Sequence, residues 1–349
     1  MLRLARLLPE YGFRVSILAL EVHPDSPVLS EPVYCPLYEL RVGKTFAPRA
    51  LRDALELRRF LRAQRIALVQ TFFESSDIWV GGVSRLTYGT RLIWSRRDMG
   101  IQRTKKHAIA YRLMAHLPDA VFAVSEQVRQ HCIEVDRIAP TRVETVYNGI
   151  DLVPSDAGYQ RTGKWSAPVI ATVGNIRRVK GHDVFVRAAA EIAAEFPSAS
   201  FVIAGEVLEP EFYAELKQLV SEAGLEGKFH FAGGVEDLPQ FLREVDLFVM
   251  PSRSEGFSNA IIEAMAAGLP VVATDVGGNA EAVQNGVTGR IVPPCDVNAL
   301  AAAMREILEN PKRAQTMGSC AQQRVVDRFT TEAMMEQITA AYRRLLKHA

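Results

Sequence analysis

Short apolar runs alternate with amphipathic stretches throughout the second half of the chain. Runs of four to six apolar residues are typical of strands buried on both faces, and the stretches between them carry apolar residues at helical spacing. The predicted strands cover 168–173, 201–204, 228–231, 247–250 and 270–273, and the predicted helices cover 182–196, 212–223, 238–245 and 258–267. This alternation predicts a parallel sheet with helices on both faces, which is a doubly wound, Rossmann-like domain.

The first half shows the same alternation less regularly. After a helix-like stretch at 1–10, predicted strands cover 14–20, 68–71, 92–94, 120–124 and 143–147. Residues 153–167 contain Pro, Gly, Ser and Asp, which interrupt any periodicity and therefore predict a linker.

We therefore predict two Rossmann-like, doubly wound parallel-sheet domains that face a cleft. The first covers 1–153 and the second covers 168–330. Three helical stretches follow Asp296, and the last, 331–349, is expected to pack back on the first domain. A chain of 349 residues is long enough to form two such cores.

Composition narrows the class of protein. Apolar residues make up 48% of the chain and charged residues 23%, as in ordinary globular proteins. We expect neither a membrane span nor a secretory leader, because long apolar runs are absent and Arg3 and Arg6 interrupt the opening stretch. The four cysteines lie far apart, which argues against disulfides and structural zinc and favours a cytoplasmic location.

Charge is divided unevenly between the two halves. Residues 1–150 hold 22 Lys and Arg against 15 Asp and Glu, and the remainder holds 19 against 25. Part of the excess lies in one stretch that contains Arg96, Arg97, Arg103, Lys105, Lys106, His107 and Arg112. This stretch predicts either peripheral contact with an anionic membrane at its inner face or a solvated helix surface. Nucleic acid is not expected as a partner, because aromatic residues do not interleave with the basic ones.

Ligands of doubly wound sheets bind beyond the carboxyl ends of the strands. The loop after the first strand of the second domain, which we call the basic loop (174–181), combines glycines with three cations ahead of a helix. It is suited to bind a diphosphate through helix N-terminal amides, although a merely exposed loop has the same composition. Its candidates are Gly174, Arg177, Arg178 and Lys180. The loop matches neither the dinucleotide-binding nor the P-loop pattern.

A second candidate segment, the glutamate loop (254–263), follows the strand at 247–250. Its glycine lets the backbone approach a ligand, and the amides at the start of the next helix would face a phosphate. Two glutamates alone mean little, because acidic residues favour helix N-termini. The candidates are Glu255, Gly256, Phe257, Ser258, Asn259 and Glu263. A third segment, the glycine turn (274–281), is either only a tight turn or a second approach to the same ligand.

The segment 255–278, EGFSNAIIEAMAAGLPVVATDVGG, resembles the signature block of the group 1 glycosyltransferases, which are family 4 enzymes of the GT-B fold. Supporting matches lie at 124–126, 147–151, 173–181 and 286–293. The resemblance extends over residues 60–345 and is strongest over 170–295.

The resemblance implies a role for each candidate. Glu263 would bind the ribose of the nucleotide, and Glu255 would contact hydroxyls of the donor sugar. Lys180, with a neighbouring arginine, would hold the diphosphate, while the amides of Phe257 and Ser258 support the sugar and phosphate. Glu255 and Lys180 are therefore the predicted catalytic residues. Neither a metal nor a cofactor is expected, because cations and helix N-termini would stabilise the leaving diphosphate.

The sequence departs from the family pattern at three places. Asn175 stands where the family usually has an arginine, so Arg177 or Arg178 is expected to substitute. No histidine follows the fourth strand of the first domain, which leaves Arg97 and Asp98 as acceptor-side candidates. The chain opens in a helix-like stretch, so the family's first strand and glycine-rich turn are expected to be missing through a misassigned start codon or a truncation.

The resulting prediction is a retaining, metal-independent hexosyltransferase. It would move a hexose from a nucleotide-diphosphate sugar, with UDP as the expected nucleotide, to a hydroxyl of a saccharide or a lipid-linked acceptor. Two alternatives remain: an epimerase of the same fold that acts on a UDP-sugar, and an inactive relative that binds sugar nucleotides. The missing opening and the altered basic loop motivate the second alternative.

Overall fold

The computed structural model describes residues 1–20, 34–40, 50–87, 89–100, 103–153 and 158–347. The chain folds into two compact units. Unit 1 comprises Met1–Tyr147 and Glu332–Ala349, and unit 2 comprises Asn148–Thr331. The segment 153–167, predicted as a linker, falls within unit 2, and its residues 154–157 lie outside the described ranges.

Unit 1 is built from short strands and the helices that connect them. The strands are β1 (Ile17–Ala19), β2 (Leu37–Glu39), β3 (Leu68–Thr71), β4 (Arg91–Arg96), β5 (Ala120–Ala123) and β6 (Val143–Thr145). The helices are α1 (Leu2–Leu7), α2 (Ala50–Ala63), α3 (Glu74–Arg85), α4 (Lys105–Met114) and α5 (Glu126–Glu134). Strands β3 to β6 form a parallel sheet in sequential order, and β1 pairs with β2 in parallel. All of these strands except β2 were predicted from the sequence.

Unit 2 contains a larger parallel sheet. Its strands are β7 (Val169–Val173), β8 (Ser200–Ala204), β9 (Phe229–Gly233), β10 (Leu247–Met250), β11 (Val271–Thr274) and β12 (Gly289–Val292). Its helices are α6 (His182–Glu195), α7 (Pro210–Glu222), α8 (Leu238–Arg243), α9 (Asn259–Ala266), α10 (Asn279–Ala282), α11 (Val297–Leu308) and α12 (Pro311–Arg328). The six strands lie in the order β12-β11-β10-β7-β8-β9, and each pairs with its neighbours in parallel. This is the doubly wound arrangement that the sequence predicts.

The core of unit 2 is apolar and closely packed. Strands β8, β10 and β11 are buried along their whole length, because helices cover both faces of the sheet. Phe185, Phe201 and Phe229 pack together, with ring centroids 5.6 to 6.2 Å apart. Burial of each large side chain contributes about 1.5–3 kcal/mol, so this cluster fixes α6 against the sheet.

The last helix, α13 (Thr331–Lys347), belongs almost entirely to unit 1. Its apolar residues Met335, Ile338 and Tyr342 recur at helical spacing and are buried in the core that includes Ile93 of β4. The ring of Tyr342 makes an edge contact with Phe13, with centroids 5.4 Å apart. The carboxyl-terminal helix therefore covers one face of the unit 1 sheet.

The two chain segments at the ends of unit 2 run side by side. The amide of Ile150 donates to the carbonyl oxygen of Phe329 at 2.9 Å, and the amide of Thr331 donates to that of Ile150 at the same distance. A Cβ on Gly149 would lie 2.2 Å from the carbonyl oxygen of Thr330, so glycine is required there. Both segments are thus fixed to each other within unit 2.

Together the two units confirm the predicted fold class of two Rossmann-like α/β domains with parallel sheets. In each unit the described strands run parallel, and helices connect successive strands of the larger sheets.

Gly318 in α12 offers a test of the packing in unit 2. A Cβ at this position would lie 2.0 Å from the carbonyl oxygen of Gly268, in the turn between α9 and β11. We predict that Gly318→Ala lowers the free energy of unfolding by about 1–3 kcal/mol, because the helix must move away from that turn. Thermal denaturation followed by circular dichroism measures the change. The adjacent exposed substitution Ser319→Ala is the control and should stay within about 0.5 kcal/mol of wild type; equal melting of both variants would contradict the prediction.

Candidate functional site

The strand order of unit 2 reverses between β7 and β10, and this reversal brings two candidate loops together. The chain leaves β7 toward β8 and β9 on one side, and later returns to build β10, β11 and β12 on the other. Loops that follow adjacent strands at such a switch point border a crevice at the carboxyl edge of the sheet. These are the basic loop after β7 and the glutamate loop after β10.

The two loops touch through their backbones. Gly181, between a short 3-10 turn (Arg178–Lys180) and α6, has a left-handed φ of 66°. A Cβ on Gly181 would lie 2.0 Å from the carbonyl oxygen of Pro251. Only glycine satisfies both requirements, so this residue sets the distance between the loops and the start of α6.

An ion pair joins the side chains of the two loops. Nζ of Lys180 lies 2.7 Å from Oε1 of Glu255, and the hydroxyl of Ser252 donates to the same oxygen at 2.7 Å. The side chain of Glu255 is 11% exposed and that of Lys180 is 26% exposed. The structure therefore brings together the two residues predicted to be catalytic.

The glycine turn packs against the backbone of the glutamate loop. The amide of Gly278 donates to the carbonyl oxygen of Gly256 at 2.8 Å. A Cβ on Gly277 would lie only 1.9 Å from the carbonyl oxygen of Glu255, and this residue has a left-handed φ of 53°. The glycine turn is therefore a tight turn that packs against the glutamate loop.

The start of α9 is held by side chains on either side. The hydroxyl of Ser258 accepts a hydrogen bond from the amide of Ile261 at 3.4 Å, which caps the helix. Phe257 is buried against Phe329, and Oδ1 of Asn259 accepts from Nδ2 of Asn148 at 2.8 Å. Glu263 is half-buried one turn into the helix. The helix α9 therefore begins four residues after Glu255, on the loop that follows the carboxyl end of β10.

Arg177 and Arg178, the predicted substitutes for the family's arginine, pair with other residues. Nε of Arg177 lies 3.5 Å from Glu209, and the guanidinium of Arg178 pairs with Glu215 and lies over the ring of Phe212. Both arginines therefore pair with carboxylates in or next to α7, whereas Lys180 pairs with Glu255.

Asn175 has a structural role in the basic loop. Its Oδ1 accepts a hydrogen bond from the amide of Glu206 at 3.1 Å, in the loop after β8. A Cβ on Gly205 would lie 2.2 Å from the carbonyl oxygen of Gly174, so the two loops also approach closely here. The asparagine at this position thus joins neighbouring loops.

Sequence reasoning missed Arg253, which connects the two candidate loops. Its guanidinium forms a bidentate pair with Asp183 of α6, at 2.8 and 2.7 Å, and also donates to the carbonyl oxygen of Arg178 at 2.8 Å. Burial opposes ionisation of Asp183, but the pair with Arg253 holds the pKa of Asp183 below its usual value. The available signal was that Arg253 directly precedes the glutamate loop. Its partner Asp183, however, lies 70 residues away in the sequence.

His182, the first residue of α6, is buried beside these cations. Burial, with Lys180 and Arg253 nearby, lowers the pKa of His182 to about 4. Among the residues that the structure describes, its Nδ1 has no hydrogen-bond partner. The imidazole is therefore neutral at neutral pH and adds no charge to the site.

In unit 1, the two acceptor-side candidates follow β4. Oδ1 of Asp98 accepts from the amide of Gly100 at 2.6 Å, which shapes the loop, and both Arg97 and Asp98 are exposed. Sequence reasoning placed them in this loop, and the structure puts them at the carboxyl edge of the four-stranded sheet.

Buried charges lie directly behind this loop. Arg103 forms a bidentate pair with Asp136 at 2.6 and 3.1 Å, and Arg96 lies 3.6 Å from the same carboxylate. The hydroxyl of Tyr111 donates to Asp77 at 2.6 Å. Burial raises the pKa of Asp77 to about 6, against the opposing effect of Arg96. Arg96 and Arg103, which the sequence placed in an exposed basic stretch, are thus part of the core.

Within the described ranges, no three His, Cys, Asp or Glu side chains lie close enough to hold a metal ion. None of the helices in that part of the chain is both long enough and apolar enough to cross a membrane.

Comparison with known proteins identifies the family. The family model for glycosyl transferases group 1 matches residues 162–324, and the model for glycosyltransferase family 4 matches residues 1–153. The lipopolysaccharide core mannosyltransferase LpcC of Rhizobium leguminosarum is 32% identical over 250 residues, which cover 69% of each chain. A D-inositol 3-phosphate glycosyltransferase of Mycobacterium marinum is 32% identical over 65% of this chain and 50% of its own.

A solved structure extends the comparison to the whole fold. HepE of Anabaena, crystallised with UDP-glucose, has a TM-score of 0.82 over 98% of this chain and 94% of its own, at 21% identity. The protein is a glycosyltransferase of the GT-B type. It belongs to the group 1 glycosyltransferases, as the signature block at 255–278 predicts. Several curated relatives are matched over only about half of their own length.

Removal of Arg253 should weaken nucleotide binding. We predict that Arg253→Ala raises the dissociation constant of the preferred nucleoside diphosphate about tenfold, or about 1.4 kcal/mol, because loss of this partly buried, charge-assisted pair frees the basic loop. Isothermal titration calorimetry measures the change. Arg178→Ala is the matched control, since its guanidinium pairs with Glu215; a larger effect of Arg178→Ala than of Arg253→Ala would contradict the prediction.

His182 should make unit 2 less stable in acid. Because its pKa falls from 6.5 to about 4 on folding, the unfolded state binds more protons between these values, and stability is lost as pH falls through this window. The loss amounts to about 3 kcal/mol at most. We predict that the stability advantage of wild type over His182→Gln shrinks as pH falls from 7 to 4.5. Denaturant titrations at each pH measure it; a difference that does not vary with pH would contradict the prediction.

Proposed function

We propose that the protein transfers a hexose from a nucleoside-diphosphate sugar to an acceptor hydroxyl with retention of configuration, and that the nucleoside is uridine. The observation that carries this proposal is the Lys180–Glu255 pair at the topological switch point of unit 2. A cation and a carboxylate meet in this pair, α6 begins two residues after Lys180, and α9 begins four residues after Glu255.

The diphosphate would bind between the two helix N-termini. Amides at the start of a helix attract anions, and the ammonium of Lys180 adds a full positive charge. As the bond between sugar and phosphate breaks, negative charge grows on the diphosphate, and fixed donors stabilise it most at that moment. We therefore propose that departure of the diphosphate needs no metal and that the enzyme has no cofactor.

Glu255 would orient the sugar. Lys180 and Ser252 hold one carboxylate oxygen, Oε1, and the second oxygen would accept hydrogen bonds from sugar hydroxyls. We do not propose a covalent role for Glu255, because its contacts in the described part of the chain are with Lys180 and Ser252 and not with a second carboxylate, as a retaining glycosidase would need. The acceptor hydroxyl would instead attack from the face that the diphosphate leaves.

Glu263 would bind the ribose. It lies one turn inside α9, whose first residues Ser258 and Asn259 are fixed by capping and by Asn148. A carboxylate there accepts hydrogen bonds from a vicinal pair of hydroxyls. The amides of Phe257 and Ser258 would contact the phosphate and sugar, with Gly256 allowing close approach.

Arg97 and Asp98 would serve the acceptor side. The acceptor would be a saccharide or a lipid-linked saccharide, and we propose that the protein acts in the cytoplasm, at the inner face of a membrane when the acceptor is lipid-linked. The mannosyltransferase LpcC, named for lipopolysaccharide core biosynthesis, supports a saccharide acceptor. HepE, crystallised with UDP-glucose, supports a uridine nucleotide.

Titration of UDP, GDP and ADP into the purified protein tests the donor site. We predict that one nucleoside diphosphate, UDP, binds best and that Glu263→Ala weakens it at least tenfold through loss of the ribose contact. The matched control is Glu222→Ala at the exposed end of α7, which should leave affinity unchanged. Binding of none of the three nucleotides, or equal binding by Glu263→Ala, would contradict the proposal.

Sugar release separates an enzyme from an inactive relative. A transferase is expected to hydrolyse its donor slowly without acceptor, and NMR of the first product formed shows whether the anomeric configuration is retained. Nucleotide binding without any release of sugar over hours would instead support the inactive relative. Conversion of the donor into another UDP-sugar would support the epimerase.

A further inference from the structure

Helix α4 turns one side into unit 1 and leaves the opposite side uncovered by the rest of the described chain. The inward side is anchored by Tyr111, which is fully buried and donates to Asp77. On the outward side, Ile109 is 60% exposed and Leu113 is 71% exposed. Residues four apart lie above one another on a helix, so these two side chains form one apolar ridge.

Basic side chains border this ridge on both sides. Lys105, Lys106 and Arg112 are exposed. With 100° of rotation per residue, Arg112 and Lys105 fall on one flank of the ridge and Lys106 on the other, and all five residues occupy roughly a third of the helix circumference. We call this surface the α4 face (Lys105, Lys106, Ile109, Arg112 and Leu113).

The charge of the α4 face is uncompensated in the local sequence. Residues 99–118 contain no Asp or Glu. The buried Arg96 and Arg103 belong to the same basic stretch of sequence, but both lie against Asp136 and do not contribute to the surface. The structure thus reduces the basic stretch to an outward strip that combines positive charge with exposed aliphatic side chains.

We propose that the α4 face docks on an anionic lipid bilayer, with the helix axis in the plane of the membrane. Ile109 and Leu113 enter the boundary between headgroups and acyl chains, while Lys105, Lys106 and Arg112 contact lipid phosphates. The combination selects a membrane over a nucleic acid, because a phosphate backbone neutralises the cations but offers no apolar layer for the ridge. Two aliphatic side chains anchor weakly, so binding requires the anionic lipid and is reversible.

Docking through α4 would hold unit 1 at the surface where a lipid-linked acceptor resides, and this consequence rests on the proposed function. The docking itself does not, because lipid binding is measured without any sugar nucleotide. Failure of one proposal is therefore distinguishable from failure of the other.

Flotation with liposomes tests the docking. The full chain is mixed with vesicles of phosphatidylcholine, or of phosphatidylcholine with phosphatidylglycerol, at low and at physiological salt. We expect binding to the anionic vesicles only, weakened by salt. The charge variant Lys105→Gln/Lys106→Gln/Arg112→Gln should reduce the bound fraction at least tenfold. The apolar variant Ile109→Ser/Leu113→Ser should reduce it several-fold at either salt concentration.

Matched controls come from unit 2. Lys217→Gln/Lys312→Gln removes exposed charges and Val287→Ser/Val326→Ser removes exposed aliphatic side chains at other places, and neither should change binding. Circular dichroism and the midpoint of thermal denaturation confirm that each variant is folded. Equal flotation with neutral and anionic vesicles, or wild-type binding by both α4 variants, would overturn the proposal.

Discussion

The close approach of Gly181 to the carbonyl oxygen of Pro251 is the constraint on which the candidate site depends. It exists because β7 and β10 are adjacent in the sheet, although 73 residues (174–246) lie between the end of β7 at Val173 and the start of β10 at Leu247. The contact fixes where α6 begins, and with it the position of Lys180 relative to the carboxylate of Glu255. Arg253 and the glycine turn then stiffen an arrangement that the strand order has already imposed.

Local pattern predicted those parts of the fold that are apolar throughout. Strands such as β10 appear in the sequence as uninterrupted apolar runs because both faces are buried. The strand β12 was missed because Gly289 and Arg290 begin it; glycine is needed since a Cβ would lie 2.0 Å from the carbonyl oxygen of Val271. In unit 1, β2 has only three residues, and none of them is fully buried.

The candidate loops could be located from sequence because each directly follows a strand, but their internal partners could not. Arg253 pairs with a carboxylate on another element, and the partner of Arg103 lies 33 residues further along the chain. A buried charge is tolerated only when it is paired, and pairing across elements leaves no periodic trace. For the same reason, Arg96 was predicted to be an exposed cation. It is in fact buried, because it ends a strand that is covered on both faces.

The contacts of Lys180 and Ser252 with a single oxygen of Glu255 also have a consequence for ligand selection. The ammonium of Lys180 is already paired with a carboxylate, so under the proposed function an incoming diphosphate would compete with Glu255 for it. A small free anion such as inorganic phosphate gains little from that exchange, because it brings no other contacts to offset the lost pair. A sugar nucleotide brings a ribose and a hexose as well. The need to replace Glu255 as the partner of Lys180 would thus favour large sugar nucleotides over small anions of similar charge.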